Sequence, residues 1–306
     1  MRDPVPWVMA TIWACYVALL PVLFPNYINF VLPLVWSHYL VLGDMSVWEM
    51  ILLPRLYQGL LLLMPLGLVA LLGRDPLSKT LTLAAVGGAA SAIVQHKGWS
   101  YHFLPLESFS LMLSGVLAAR SLDLLGRGFH RFRHACACGL ALLVVQYAVW
   151  NGDVWGWKQD YSDSSDARIA KTLTRAAEGG RGLVLSPRVG PIFPALNYAR
   201  VRTTMPTMTM WVLQAAYGQC LADGRRYRDP GEMDWAERFI FQTISQDFAA
   251  DPPEVVIIDQ TSRIKRCDED FKFLEYFLRD PAFAKTWSRY RRIGDEDAFD
   301  FYVRGD

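Results

Sequence analysis

The chain has 306 residues, 52% of them hydrophobic, with a mean hydropathy of +0.15 and a formal charge of +1. Near-neutral charge excludes electrostatic capture of nucleic acid as its role, and an apolar excess concentrated in the first half excludes a wholly water-soluble enzyme. Five cysteines, Cys15, Cys136, Cys138, Cys220 and Cys267, lack zinc-site spacing, so they predict no metal centre.

Met1-Arg2-Asp3-Pro4 leads into an apolar run, Val5 to Phe24, long enough to cross a hydrocarbon core. The alternative is a cleavable signal peptide. Asp3 nearly cancels its basic start and no small-x-small cleavage site follows, which favours a retained span. Ile28 to Leu42 is semi-apolar but interrupted by Pro33, Ser37 and His38, and reads as an interfacial or re-entrant segment. Asp44 and Glu49 follow, and Pro54-Arg55 opens a second span, Leu56 to Leu72.

The third span, Thr80 to Gln95, carries Ala84, Ala85, Gly87, Gly88, Ala89, Ala90, Ser91 and Ala92, the small residues that let helix backbones approach inside a bundle. The fourth runs from Leu106 to Leu125, with Arg120 and Asp123 near its end spaced to pair. The fifth is Ala135 to Trp150. Five spans put Arg2, Arg74, Lys79, Arg127, Arg131 and Arg133 on one side and only Arg55 and Lys97 in the short loops of the other. The positive-inside rule assigns the first group to the cytoplasm of a cell (inner) membrane. The expected architecture is thus an α-helical transmembrane bundle of about five spans, residues 1–150, followed by a small extracytoplasmic α/β domain, residues 151–306.

Between the third and fourth spans lies Gln95-His96-Lys97-Gly98-Trp99-Ser100-Tyr101-His102-Phe103-Leu104-Pro105. One reading is an interfacial anchor, with Trp99 and Tyr101 at the lipid headgroups and Lys97 snorkelling. The other is a phosphate site in which His96, Lys97 and His102, joined by Arg55, converge on an anionic headgroup while Gly98 admits the backbone.

Beyond Trp150 the composition turns polar. Asp160, Asp163 and Asp166 have the density to hold a divalent cation, or belong to a solvated linker ending in a helix N-cap at Ser164 or Ser165. The pattern then predicts a helix over Asp166–Glu178, a strand at Gly182–Pro187, a short helix at Phe193–Tyr198 and a strand at Val201–Thr204. Helices follow over Trp211–Ala222 and Asp234–Phe248, then a strand at Glu254–Asp259, a helix at Phe271–Leu278 and paired strands at Trp287–Ile293 and Phe299–Val303. Alternating strands and helices define a partly parallel sheet. No glycine pattern, Gly179-Gly180-Arg181-Gly182 included, marks a nucleotide site. Asp259 ends a strand where such sheets bind ligands, though turns after strands favour Asp for structural reasons as well. Cys220 and Cys267 would meet oxidising conditions and are candidates for a disulfide.

The Gln95–Pro105 loop resembles a motif of bacterial integral-membrane glycosyltransferases of the GT-C class, relatives of the dolichyl-phosphate-mannose protein mannosyltransferases and lipid-A aminoarabinose transferases. Pro25-Asn26-Tyr27 with Val31-Leu32-Pro33, and Phe277-Leu278-Arg279-Asp280-Pro281-Ala282-Phe283, are similar to the same group. The resemblance implies a polyprenyl-phosphate-linked sugar as donor and places His96, Lys97 and His102 near the carrier phosphate. It supplies no base: that class carries its acid in an early outer loop of a longer bundle, and Asp44 and Glu49, the acids available here, do not match that motif. The chain therefore reads as the C-terminal part of such an enzyme, with a separate N-terminal half as partner, or as a degenerate relative. Two other classes are weighed: a non-catalytic membrane subunit whose outer domain binds a partner or polysaccharide, and a transporter. The transporter would show charges deep within spans and symmetry-related repeats, and the sequence has neither.

The topology is checked by reporter fusions: one after Trp150 is expected to be active outside the cytoplasm and one at Phe129 to report the cytoplasm. The reverse pattern would invert the orientation.

Overall fold

A computed structural model describes residues 4–43, 45–124, 161–261, 264 and 271–305, without the side chains of 122–124. The fifth expected span, Ala135–Trp150, lies outside the described residues. Four described helices are long and apolar enough to cross a membrane: Val5–Leu23, Pro54–Leu72, Pro76–Val94 and Ser100–Ser121. The chain divides into two compact units, Met1–Leu42 with Gln159–Asp306, and Gly43–Lys158. The first of these groups the first 42 residues with the C-terminal ones.

In the first unit, α1 (Val5–Leu23) buries none of its residues. A second helix, α2, joins wide π-type turns at Tyr27–Val31 and Val35–Tyr39 through one α-turn at Leu32–Leu34. Pro33 accounts for the first widening: it has no N–H, and its ring crowds the carbonyl four residues earlier. Phe30, Leu34 and His38, four residues apart, all face the C-terminal domain.

The Gly43–Lys158 unit begins with α3 (Val47–Ile51), capped by a reciprocal Ser46–Glu49 box. Then α4 (Pro54–Leu72), α5 (Pro76–Val94) and α6 (Leu104–Leu124) pack on one another. A single turn of 3-10 helix, Ser100–Phe103, leads into α6. The small residues of α5 act as expected: Ala85, Gly88, Ala89 and Ala92 are buried. A Cβ on Gly88 would lie 2.8 Å from the Leu106 backbone N, and one on Gly59 of α4 would lie 2.7 Å from Leu106 Cδ2. At the opposite end, Arg120 pairs with Asp75 at 2.6 Å, and Asp75 caps α5 through the Leu77 and Ser78 amides. The Arg120–Asp75 pair closes two helices together; the side chain of Asp123, the partner expected for Arg120, lies outside the described residues.

The remainder of the first unit is the α/β domain. Its elements are α7 (Ser165–Ala177), β1 (Arg181–Leu185), α8 (Ile192–Tyr198), β2 (Arg202–Thr203), α9 (Trp211–Ala216), α10 (Trp235–Ala250), β3 (Val255–Asp259), α11 (Phe273–Phe277), α12 (Pro281–Trp287), β4 (Tyr290–Glu296) and β5 (Phe299–Arg304). Ser164 is the N-cap of α7, accepting from the Ala167 amide. The sheet order is β2-β1-β3-β5-β4, parallel through β2, β1 and β3 and antiparallel from β3 onward. β3 is buried along its whole length, which explains its unbroken apolar sequence.

Two buried carboxylates organise this domain. Asp259 accepts from Ser186 Oγ and from Arg188 Nε and Nη2, each at 2.9 Å, tying the ends of β1 and β3 together. Of its two sequence readings, the structural one describes these bonds. Glu237 on α10 is fully buried and accepts from Tyr217 (2.6 Å), Tyr276 (2.9 Å) and Arg228 (2.9 Å). Burial, with the Glu237 charge beside them, holds both phenols well above the usual tyrosine range. Arg279 crosses the face of Tyr276 at 4.5 Å and donates to the Arg228 carbonyl at 2.6 Å.

Removing one member of a buried charged pair is more damaging than never having had it. Glu237→Ala is expected to lower the unfolding free energy by about 3–5 kcal/mol, and Tyr217→Phe by about 1.5–3 kcal/mol, the loss of a hydrogen bond to a charged group. Denaturant titration followed by domain tryptophan fluorescence checks both; a loss under 1 kcal/mol for Glu237→Ala would contradict the network's role.

Candidate functional site

The Gln95–Pro105 loop is shaped by two left-handed residues, His96 (φ 51°) and Gly98 (φ 62°). His96 is held there from both sides: its carbonyl accepts from the Met45 amide at 3.0 Å, and its Nδ1 donates to the Met45 carbonyl at 2.8 Å. Glycine suits position 98 on conformation and on space, because a Cβ there would lie 2.6 Å from Met45 Sδ.

Between them Lys97 is turned inward and is only 4% exposed. Its Nζ lies 4.7 Å from the centroid of the Trp99 ring, a geometry in which the ring's negative face attracts the ammonium. Burial pushes the Lys97 pKa down to about 8. Trp99 stands 5.5 Å from His102, and Tyr101 meets His102 edge-to-face at 4.4 Å. Nδ1 of His102 is buried without a hydrogen-bond partner among the described residues. Tyr101 is 55% exposed.

Lys97, Trp99, Tyr101 and His102 therefore form one cluster, while the ring of His96 is committed to Met45. Arg55 approaches the loop at Ser100, where Nη1 lies 3.4 Å from the carbonyl, and its Nε is 3.8 Å from Glu107. Glu49 is occupied as a helix cap, its carboxylate accepting from the Ser46 amide at 2.7 Å. Asp44 lies outside the described residues, as does Asp160. The other two acids of the expected cation cluster are local: Asp163 closes a 3-10 turn and Asp166 sits in the first turn of α7. Among the described residues no group of His, Cys, Asp and Glu is arranged to hold a metal ion.

Two arrangements escaped sequence reasoning. Glu107, Ser110 and Gln58 line a cleft with Arg55 between α4 and α6. A charged residue inside an otherwise apolar span was the available signal. The other is a chain of hydrogen bonds from α2 to α10: Ser37 Oγ to His38 Nδ1 at 2.7 Å, then His38 Nε2 to Asp234 at 3.1 Å. Its composition matches a hydrolytic relay, but Asp234 is the N-cap of α10, accepting from the Ala236 and Glu237 amides, and Ser37 Oγ lies 2.7 Å from the Pro33 carbonyl within its own helix. The bonds fasten a helix to a domain. Nothing in the sequence pairs residue 38 with residue 234.

The chain matches no family model, no curated protein and no solved structure.

Cys220 is disulfide-bonded, whereas Cys15 is a free, exposed thiol. The expected partner, Cys267, lies outside the described residues. Alkylation without reductant, followed by peptide mass spectrometry, is expected to label Cys15 and to recover Cys220 in a cross-linked peptide joined to Cys267. Quantitative labelling of Cys220 before reduction would contradict the bond.

Proposed function

We propose that this chain is a membrane glycosyltransferase, or the C-terminal part of one, that takes a sugar from a polyprenyl-phosphate carrier and passes it to an acceptor outside the cytoplasm. One observation carries the reading: a buried lysine and a histidine with an unpartnered ring nitrogen are gathered at the end of apolar helices, beside two interfacial aromatics. Fixed cations in a dry site stabilise the charge that develops on a leaving carrier phosphate. The disulfide at Cys220 supports an oxidising location for the α/β domain, in line with the count of basic residues in the loops.

Transfer also needs a carboxylate to take the acceptor's proton. Asp44 and Glu49 remain the candidates, and Glu49 would have to leave its capping bond to serve. That engagement favours a second reading, a non-catalytic membrane subunit that holds the lipid-linked sugar or a polysaccharide for a partner.

The test is sugar transfer from a polyprenyl-phosphate donor in native membranes carrying substituted protein. Loss of a hydrogen bond to a charged group costs about 1.5–3 kcal/mol, so Lys97→Ala and His102→Ala are each expected to cut transfer by at least about tenfold, with Trp99→Phe costing much less. Lys97 is charged below about pH 8, so anion binding weakens as pH rises through that value. Lys97→Arg, charged throughout, flattens that limb. Unchanged transfer in both alanine variants leaves only the interfacial anchor; lost binding in a chain inactive from the outset points to the subunit.

A further inference from the structure

A second polar site lies along α4 and α6. Arg55 and Gln58 from one helix and Glu107 and Ser110 from the other line a cleft of about 160 Å3, with Leu62 and Leu111 on its apolar side. That is well above the roughly 10–15 Å3 that one water needs, so the cleft admits a small polar group. Four polar side chains in an apolar bundle are costly unless something uses them.

They satisfy one another only in part: Arg55 and Glu107 form a long ion pair, and Arg55 also reaches the Ser100 carbonyl at 3.4 Å. Ser110 is fully buried and its Oγ has no partner among the described residues. A helical serine ordinarily returns its hydroxyl to the carbonyl four residues back, as Ser114 does to Ser110 at 2.8 Å; Ser110 does not. Arg55 and Glu107 face each other at 3.8 Å, beyond hydrogen-bonding distance. The set offers one positive charge, one negative charge, an amide and an unused hydroxyl, and its net charge is zero.

We propose that this cleft binds the headgroup of a phospholipid bearing a primary ammonium. Its phosphate lies against Arg55, its ammonium against Glu107, and Ser110 and Gln58 bond the remaining oxygens. Three observations select this occupant. A purely anionic headgroup would set its charge against Glu107, whereas a zwitterion matches both partners. Glu107 accepts hydrogen bonds, and of the headgroup cations a primary ammonium has N–H groups to donate whereas a trimethylated one has none. The cleft sits at the end of the helices that carries Trp99 and Tyr101, the level at which aromatic rings meet headgroups, and Leu62, 38% exposed, continues it toward the hydrocarbon for the acyl chains. The site shares Arg55 with the proposed sugar-transfer site but does not depend on that activity.

The test titrates the purified full chain in detergent with phosphatidylethanolamine, phosphatidylcholine and phosphatidylglycerol of matched acyl chains, read by native mass spectrometry. Phosphatidylethanolamine is expected to bind about tenfold more tightly than the other two, the size of a lost hydrogen bond to a charged group. Glu107→Gln removes the discrimination. Ser110→Ala weakens phosphatidylethanolamine binding severalfold without lowering the melting temperature of lipid-free protein, because it deletes a hydroxyl that has no partner there. Lys97→Ala leaves the lipid preference intact, which separates this site from the loop cluster. Equal binding of the three lipids overturns the proposal, as does a phosphatidylglycerol preference that survives Glu107→Gln. If Glu107→Gln fails to fold, Ser110→Ala decides: unchanged phosphatidylethanolamine affinity in that variant refutes the site.

Discussion

The Gly43–Lys158 unit depends on the close approach of Gly88 and Gly59 to Leu106. In lipid, apolar side chains gain little by leaving one hydrocarbon surface for another, so helices associate where their backbones can come near. Two glycines on separate helices meet the same leucine: a side chain at Gly88 would press on the α6 backbone, and one at Gly59 would displace the Leu106 side chain. The position of α6 in turn sets the 3-10 turn that carries His102 and brings Glu107 within reach of Arg55. The loop cluster and the inter-helix cleft are both consequences of that packing.

Buried charge takes two forms in this protein. Glu237 is withdrawn from water completely, but two phenols and a guanidinium bond its oxygens, so it acts as a structural post. Lys97 is withdrawn almost as far, with its ammonium 4.7 Å from the Trp99 ring centroid, and burial lowers its pKa to about 8.

The C-terminal domain reaches back to the start of the chain. Phe30 packs on Phe239 at 4.7 Å, Tyr39 on Trp211 at 5.5 Å, and His38 bonds the cap of α10. A segment interrupted by proline, serine and histidine reads as a poor membrane span because it is a docking helix. Its His38 bonds Asp234 of the domain while Ser37 bonds within the segment, and its widened turns accommodate Pro33.

The sequence alone determined the elements whose signal is local. Long apolar runs marked, to within a few residues, the four described helices that are long and apolar enough to cross a membrane. The apolar run to Asp259 marked β3, and Ser164 stood where a helix cap belongs; the helix Pro281–Trp287 was not among the expected elements. It also singled out the Lys97–His102 loop, because cations and aromatics between apolar runs are conspicuous. What lay beyond it was pairing across distance. Asp75 with Arg120, His38 with Asp234, Glu237 with Arg228 and two tyrosines, and Glu107 with Arg55 are matches that no periodicity encodes. The inward turn of Lys97 and the capture of His96 by Met45 likewise follow from backbone geometry at two left-handed residues. Local chemistry names the groups available; only packing decides which are satisfied by the protein itself and which are left facing a ligand.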